Sequence, residues 1–173
     1  MADTTRFPID FRSPAISHSQ GNSFYNVNTL ATWAATAIDF DLGVWEMIHT
    51  GDVDSYIYGL VTVPNTIGGT PAAKIILLVA ANATTGNVRT RIATQAVANG
   101  ENLNQASTLE TEQTTTMPTT AFELEEISYT LTNAPVAKDL IMVEFRREAT
   151  DTTNDTLAAN LLVVEAYLEI DLS

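Results

Sequence analysis

The feature of this chain that most constrains its fold is a period-two alternation of apolar and polar residues in its last segment, 161–172. A strand half-buried in an antiparallel sheet requires this period, because successive side chains point to opposite faces. The segment therefore predicts a strand with one face in a hydrophobic core. The predicted core face consists of Leu162, Val164, Ala166, Leu168, Ile170 and Leu172. The predicted outer face consists of Glu165, Tyr167, Glu169 and Asp171.

Seven earlier segments also have strand-like patterns, and turns rich in Gly, Asn and Pro separate them. Around eight strands, with no long amphipathic helix and no internal repeat, predict an all-β fold of two packed antiparallel sheets. A jelly roll is the first expectation and another β-sandwich is the second. The predicted strands are 44–49, 55–63, 74–81, 88–98, 108–115, 122–131, 140–147 and 161–172.

Two segments depart from a simple strand pattern. Residues 29–36 combine alanines, which favour a helix, with threonines, which favour a strand. We therefore predict a short helix or turn there, followed by a strand to residue 41. Within 122–131 the apolar phase changes at Glu125 and Glu126, which predicts a β-bulge at that position.

The first 28 residues form a polar stretch with two short apolar pieces. Their composition predicts an extended N-terminal arm, 1–28, followed by a single sandwich domain, 29–173. Apolar side chains in a polar tail need a surface on which to be buried. The arm is therefore expected either to lie on its own domain or to embrace a neighbouring subunit. Its candidate contact residues are Phe7, Ile9, Phe11, Phe24 and Tyr25.

Charge and cysteine content exclude several function classes. The formal net charge is −13 and only eight residues are Lys or Arg, so free nucleic acid is not an expected partner. Without cysteine there is no disulfide, thiolate metal site or cysteine nucleophile. The start lacks the apolar core of a signal peptide, and the longest apolar run, 75–81, is far shorter than the roughly 20 residues of a membrane span. We expect assembly in the cytoplasm and no membrane partner.

No catalytic motif is visible in the chain. The two histidines, His18 and His49, lack the spacing of a zinc site. No serine lies in a nucleophile-elbow pattern, although a Ser-His-Asp triad is defined by geometry rather than by sequence. Acidic residues are plentiful, but their spacing selects no glycosidase pair. We therefore expect that the protein is not an enzyme and needs no metal or cofactor.

Two acidic loops, 52–54 and 148–155, leave a calcium site open as an alternative, because calcium prefers several oxygen ligands. Neither loop matches the twelve-residue calcium-binding pattern. The competing interpretation is that these side chains bond their own backbone. In that case Asp151 or Asp155 pairs with one of the adjacent arginines at 146–147.

Aromatic residues raise a carbohydrate-binding alternative. Tyr56 and Tyr58 are two residues apart in a predicted strand, so they share a face that could stack against sugar rings. Aromatic side chains in a sandwich also serve as core or interface residues. Both interpretations are open.

Four of the basic residues are concentrated in two places. Arg89 and Arg91 share one face of a predicted strand, and Arg146 and Arg147 are adjacent near the end of another. Arginine forms planar, charge-assisted hydrogen bonds with carboxylates. We expect these four side chains to pair with acids, either within the subunit or across a contact with a subunit or capsid.

Several longer patterns lie between residues 52 and 170: SYIYGLVTVP, KIILLVAANATTGNVRTRI, ATQAVANGENLNQA and, above all, VEFRREATDTTNDTLAANLLVVEAYLEI. This part of the chain resembles the β-sandwich modules of structural proteins in tailed bacteriophages. In that pattern a strand ends in Arg and is followed by an acid-rich loop, an Asp-Thr-Leu and the final strand. The Arg-Arg-Glu of this chain departs from the commoner Arg-Asp form.

The resemblance implies a virion structural protein, most similar to a capsid decoration or cement protein. Such proteins are usually jelly-roll-like trimers that brace the capsid lattice. The implied partners are the major capsid protein and further copies of the chain in a homotrimer, and the implied location is the capsid surface. The alternative is a carbohydrate- or receptor-binding head module of a phage fibre.

Overall fold

Two antiparallel β-sheets form the protein in its computed structural model, which describes residues 4–12, 25–27, 44–47, 54–69 and 71–172. These residues contain twelve strands and no helix. Strands β1 to β6 are Thr4–Pro8, Asp10–Arg12, Tyr25–Val27, Val44–Met47, Ser55–Thr62 and Ala73–Ala81. Strands β7 to β12 are Asn87–Val97, Thr108–Leu109, Gln113–Thr116, Glu125–Thr130, Leu140–Arg147 and Leu161–Asp171.

The strand order confirms the jelly roll. Sheet A has the order β10-β6-β12-β4-β3, with β1 also paired to β12. Sheet B has the order β2-β5-β11-β7-β8, with β9 also paired to β7. From β4 to β7 and again from β10 to β12, each strand lies in the opposite sheet from the one before it. Neighbours within a sheet therefore come from distant parts of the chain, as in two interlocked Greek keys.

Most predicted strands are confirmed within a residue or two at each end. The segment 108–115 differs, because it is divided into β8 and β9. Between them Glu110 turns inward and is 3% exposed. Its carboxylate accepts hydrogen bonds from the backbone nitrogen and hydroxyl of Thr132 at 3.1 and 2.6 Å. Burying this carboxylate interrupts the strand, and no alternation of apolar residues signals it.

The predicted bulge at Glu125 and Glu126 is wrong. Strand β10 begins at Glu125 and pairs with β6 in continuous register. The bulge lies instead in β12, where the register with β6 shifts between Val163 and Glu165. The extra residue reverses the alternation, so Leu161 and Val163 are buried on the core face. Residues 162 and 164, predicted to face the core, are only half-buried.

Residues 4–12 of the predicted arm add one strand to each sheet of their own chain. Between β1 and β2, Ile9 is 5% exposed and its backbone nitrogen donates to the carbonyl of Ala166 at 2.8 Å. Phe7 and Phe11 pack against the core. A side chain at Gly59 would have its Cβ 2.4 Å from Cγ2 of Ile9. Any larger residue at position 59 of β5 would therefore push against the side chain of Ile9.

The remainder of the predicted arm lies largely outside the described residues. Phe24 and residues 13–23 belong to the part of the chain that is not described. Tyr25 begins β3, and its backbone lies opposite Glu46 in β4. The predicted helix or turn and strand between residues 29 and 41 also lie outside the described ranges.

Candidate functional site

Three predicted contact residues meet at one end of the outer face of sheet B: Arg89, Arg91 and Arg146, here called the arginine cluster. Strand β7 supplies Arg89 and Arg91, and the register places Arg146 of β11 opposite Arg91. Arg89 Nε lies 3.0 Å from Glu148 and 3.1 Å from Asp151. Arg91 pairs with Glu112. The arginine cluster is therefore paired with carboxylates of its own chain.

Asp54 is the carboxylate that joins Arg146 to the start of β5. It accepts hydrogen bonds from Arg146 Nε at 3.1 Å and from the backbone nitrogen and hydroxyl of Thr150 at 3.1 and 2.8 Å. Burial raises the pKa of Asp54, but these hydrogen bonds outweigh burial and hold the pKa below its ordinary value of 3.8. Asp54 is therefore ionised at neutral pH and belongs to this ion-pair network.

Arg147, the fourth predicted arginine, lies inside the sandwich and is 0% exposed. Two of its guanidinium nitrogens donate to the two carboxylate oxygens of Asp155 at 2.9 and 2.8 Å. The guanidinium also donates to the carbonyls of Leu157 and Ala159 at 2.7 and 2.6 Å. The prediction that Asp155 pairs with an adjacent arginine is confirmed. Arg147 closes the loop 148–160 and, like Ile9, offers no surface to a partner.

The acidic loops contain no metal cluster within the described residues: no group of three or more His, Cys, Asp or Glu side chains could hold an ion there. In the loop after β11, Asp151 pairs with Arg89 and accepts a hydrogen bond from Asn154 at 2.8 Å. His18, His49 and Asp52 lie outside the described ranges. Within the described ranges there is no helix with the length and hydrophobicity of a membrane span.

A groove of about 430 Å³ lies on the outer face of sheet B beside the arginine cluster. Three neighbouring strands supply its floor, because the register aligns their outward side chains in two adjacent rows. One row is Tyr58, Glu144 and Ala93, from β5, β11 and β7. The next row is Leu60, Met142 and Gln95, from the same strands. The floor therefore combines an aromatic ring and aliphatic side chains with a carboxylate and an amide.

Polar groups of the groove are held in place by neighbours. Tyr58 is hydrogen-bonded to Glu144, and burial together with this carboxylate raises the pKa of Tyr58 to about 12. Gln95 donates to the carbonyl of Leu103 at 2.7 Å. This bond holds the exposed segment 101–107 beside β7, and Ser107 of that segment lines the groove. Because its pKa is raised, Tyr58 keeps its proton at neutral pH.

The two tyrosines predicted to share a face do so, but they differ in their surroundings. The guanidinium carbon of Arg146 lies 5.3 Å from the centre of the Tyr56 ring, in a cation–π contact. Tyr56 therefore contacts the arginine cluster through Arg146, and Tyr58 lines the groove.

Sequence reasoning identified Tyr58 but missed its neighbours Glu144, Gln95 and Met142. The alternation in 140–147 does contain a signal, since Met142, Glu144 and Arg146 fall on one face of the strand. That signal cannot say which strand lies alongside. The register that places Glu144 opposite Tyr58 is a tertiary property.

No family model matches the chain, and no curated protein matches it. Solved structures do overlap with it. The CBM22-1 xylan-binding domain of Xyn10C from Paenibacillus barcinonensis is 10% identical, with a TM-score of 0.39 over 81% of this chain and 79% of that one. The family 11 carbohydrate-binding module from Clostridium thermocellum, solved with a beta-1,3-1,4-mixed-linked tetrasaccharide, is 12% identical, with a TM-score of 0.37 over 98% and 83%.

A third similar structure is the enzymatically active domain of tailspike protein 4 from bacteriophage CBA120. It is 6% identical, with a TM-score of 0.38 over 97% of this chain, and the chain spans 19% of that structure. At these TM-scores and identities, none of the three overlaps carries a conclusion about the function of this chain.

Proposed function

We propose that the protein is a carbohydrate-binding jelly roll and that the groove on the outer face of sheet B is its binding site. One observation carries the proposal: Tyr58 lies in the same groove floor as Glu144 and Gln95. Sugar rings have apolar faces that pack on aromatic and aliphatic side chains. Their hydroxyl groups hydrogen-bond with carboxylates, amides and hydroxyls placed at the edge of such a surface.

The role that we propose is binding without catalysis. Hydrolysis of a glycosidic bond needs two carboxyl groups on either side of the bond, about 5 to 9.5 Å apart. Among the described residues that line the groove, Glu144 is the only carboxylate. Glu144 is also engaged by the hydroxyl of Tyr58, which suits it to orient a sugar hydroxyl.

A glycan array comparing the wild-type protein with Tyr58→Ala tests the proposal. We expect the wild type to bind at least one glycan, and Tyr58→Ala to bind that glycan at least about tenfold more weakly, or about 1.4 kcal/mol. Tyr167→Ala is a matched control. Tyr167 is half-buried on the outer face of sheet A and hydrogen-bonded to Glu165, much as Tyr58 is to Glu144. A blank array, or an equal loss in both variants, would sink the proposal.

A second candidate function is that of a capsid decoration protein, and one observation favours it. Among the described strands, β8 lies at one edge of sheet B, and Leu109 on this strand is 59% exposed. Leu103, in the segment just before it, is 63% exposed. An open strand edge with exposed apolar side chains is a surface that another chain can cover. In the homotrimer that the phage resemblance implies, this edge would be the contact.

Sedimentation equilibrium of the purified protein tests the homotrimer that this second candidate requires. A trimer would have three times the 18.7 kDa mass of the chain, and Leu109→Lys should shift it toward monomer. Thr130→Lys, at an exposed position in β10, is the control. A wild-type protein that stays monomeric at high concentration would remove the homotrimer from the proposal.

A further inference from the structure

A second depression, of about 390 Å³, adjoins the groove on sheet B. Leu60 lines both depressions. The register continues the floor beyond Leu60 with Thr62 opposite Leu140, and it places Asp10 of β2 opposite Leu60. From β7 to β2 the surface crosses three strand spacings, which is about 14 Å. A surface of this length exceeds what one sugar ring can cover.

The two depressions repeat the same combination of chemical groups. The first has the aromatic ring of Tyr58 and the carboxylate of Glu144. The second is lined by Phe7 of β1, which is half-buried against the core, and by Asp10 of β2 with its carboxylate. Aliphatic side chains lie between them, with Leu60 common to both. A surface with repeated chemistry matches a ligand with repeated units, because each unit meets an apolar area and a hydrogen-bond acceptor.

We propose that the site takes a linear oligosaccharide chain that occupies both depressions, rather than a single terminal sugar. This inference rests on the proposed carbohydrate-binding function. Residues of the first depression contact every bound ligand, and those of the second contact only chains long enough to pass Leu60. The N-terminal segment 4–12 is then part of the binding surface, since it supplies Phe7 and Asp10.

The test is the dependence of affinity on chain length, measured by isothermal titration calorimetry. The probes are the monosaccharide and oligosaccharides of up to about six units, prepared by partial hydrolysis of the polysaccharide with the strongest array signal. Cello- and xylo-oligosaccharide ladders are measured in parallel. We expect affinity to rise at least about tenfold from the monosaccharide to the longer chains and then to level off.

Two variants localise the effect to the second depression. Thr62 is exposed, so Thr62→Lys should fold and place a long side chain in the second depression. It should weaken the longer chains about tenfold and leave the monosaccharide unchanged. Asp10→Ala should act in the same direction. Thr130→Lys, on sheet A, introduces the same side chain away from both depressions and should change nothing.

The outcomes separate this inference from the function on which it rests. A protein that binds no glycan at any length contradicts both. A monosaccharide that binds as tightly as the longer chains contradicts the extended site and leaves carbohydrate binding intact. Equal weakening of short and long chains by Thr62→Lys would also overturn it, because the second depression would then not be a separate part of the site.

Discussion

The two faces of strand β11 differ in how deeply they bury an arginine side chain. Arg147, on the inner face, has no exposed surface, and Asp155 and backbone carbonyls accept its hydrogen bonds. Arg146, the residue before it, has a side chain that is 32% exposed and pairs with Asp54. The inner face further consists of Ile141, Val143 and Phe145. The outer face further consists of Leu140, Met142 and Glu144.

The burial of an arginine on this strand determines whether it stabilises the fold. A buried charge costs several kcal/mol to desolvate, so it persists only where it is paired and fully hydrogen-bonded. On the outer face the arginine side chains are partly exposed, so water screens their ion pairs in part and each pair contributes less to stability than the buried one. The inner face of β11 is therefore expected to stabilise the fold. Its outer face contributes Met142 and Glu144 to the floor of the groove.

The largest effect is expected for Arg147→Ala. This change removes the cation that pairs with the buried carboxylate of Asp155 and the donor to Leu157 and Ala159, which should lower the free energy of unfolding by about 3–5 kcal/mol. Urea denaturation followed by circular dichroism measures it. The double variant Arg147→Met with Asp155→Leu should recover part of the loss, because no unpaired charge remains. A loss below 1 kcal/mol for the single variant would remove the distinction between the faces.

A smaller effect is expected for Gly86→Ala, which tests how tightly the loop closed by Arg147 is seated. Gly86 has a φ of +119°, and a Cβ there would lie 2.8 Å from Cα of Leu157 and 3.0 Å from the carbonyl oxygen of Thr156. We expect Gly86→Ala to lower the free energy of unfolding by about 2–4 kcal/mol, because the backbone strain and this clash add together.

Gly100→Ala is the matched control for Gly86→Ala. Gly100 also has a positive φ, of +92°, but nothing lies within 4 Å of its added Cβ. Gly100→Ala should therefore lower the free energy of unfolding only by the cost of backbone strain, about 1–2 kcal/mol. If the two variants unfold at the same urea concentration, Thr156 and Leu157 do not pack against Gly86.

Arg146→Ala on the outer face should cost about 1–2 kcal/mol near neutral pH, less than Arg147→Ala, because Asp54 is buried but keeps its hydrogen bonds from Thr150. The pKa of Asp54 is lowered in the folded protein, so its contribution is present above the ordinary value of 3.8 and is lost as pH falls through the folded value. The difference between wild type and variant should therefore shrink in acid. NMR titration of the Asp54 carboxyl carbon should also show a higher pKa in the variant. An unchanged pKa would mean that Arg146 does not hold it down.

The smallest effect on stability is expected for Glu144→Gln in the groove floor. Glutamine keeps the shape of the side chain, so the free energy of unfolding should change by less than about 0.5 kcal/mol. Binding of the array glycan should weaken, because a neutral amide is a poorer acceptor than a carboxylate. Denaturation and titration calorimetry on the same sample measure both. A stability loss above 1 kcal/mol would show that the outer face also supports the fold.

Sequence patterns predicted the fold far better than the site. Turn residues and alternation placed eight strands, because both signals are local. The phase of β12 could not be predicted, since the bulge at Val164 shows only as a shift of register against β6. The division of 108–115 was missed as well, because its cause is a hydrogen bond from Thr132, far along the chain, to Glu110.

The candidate site shows the same limit. Tyr58 was recognised from the sequence as an outward-facing aromatic residue. The arginines at 89, 91, 146 and 147 were recognised as partners for acids. Nothing in the sequence distinguished Arg146 from Arg147, although one lies in a part-buried ion-pair network on the outer face and the other is fully buried. Their difference follows from which face of β11 meets the other sheet.

Residue identity and local pattern were enough to predict that this chain forms short alternating strands, carries a strong negative charge and has no thiol chemistry. Those properties depend on residue identity and on neighbours a few positions away. The pairing of β5 with β11 and of β11 with β7, and so the position of Glu144 between Tyr58 and Ala93, became visible only in the folded chain. The reason is physical: strand register depends on contacts between distant segments, and a binding groove on a sheet is built from several strands at once.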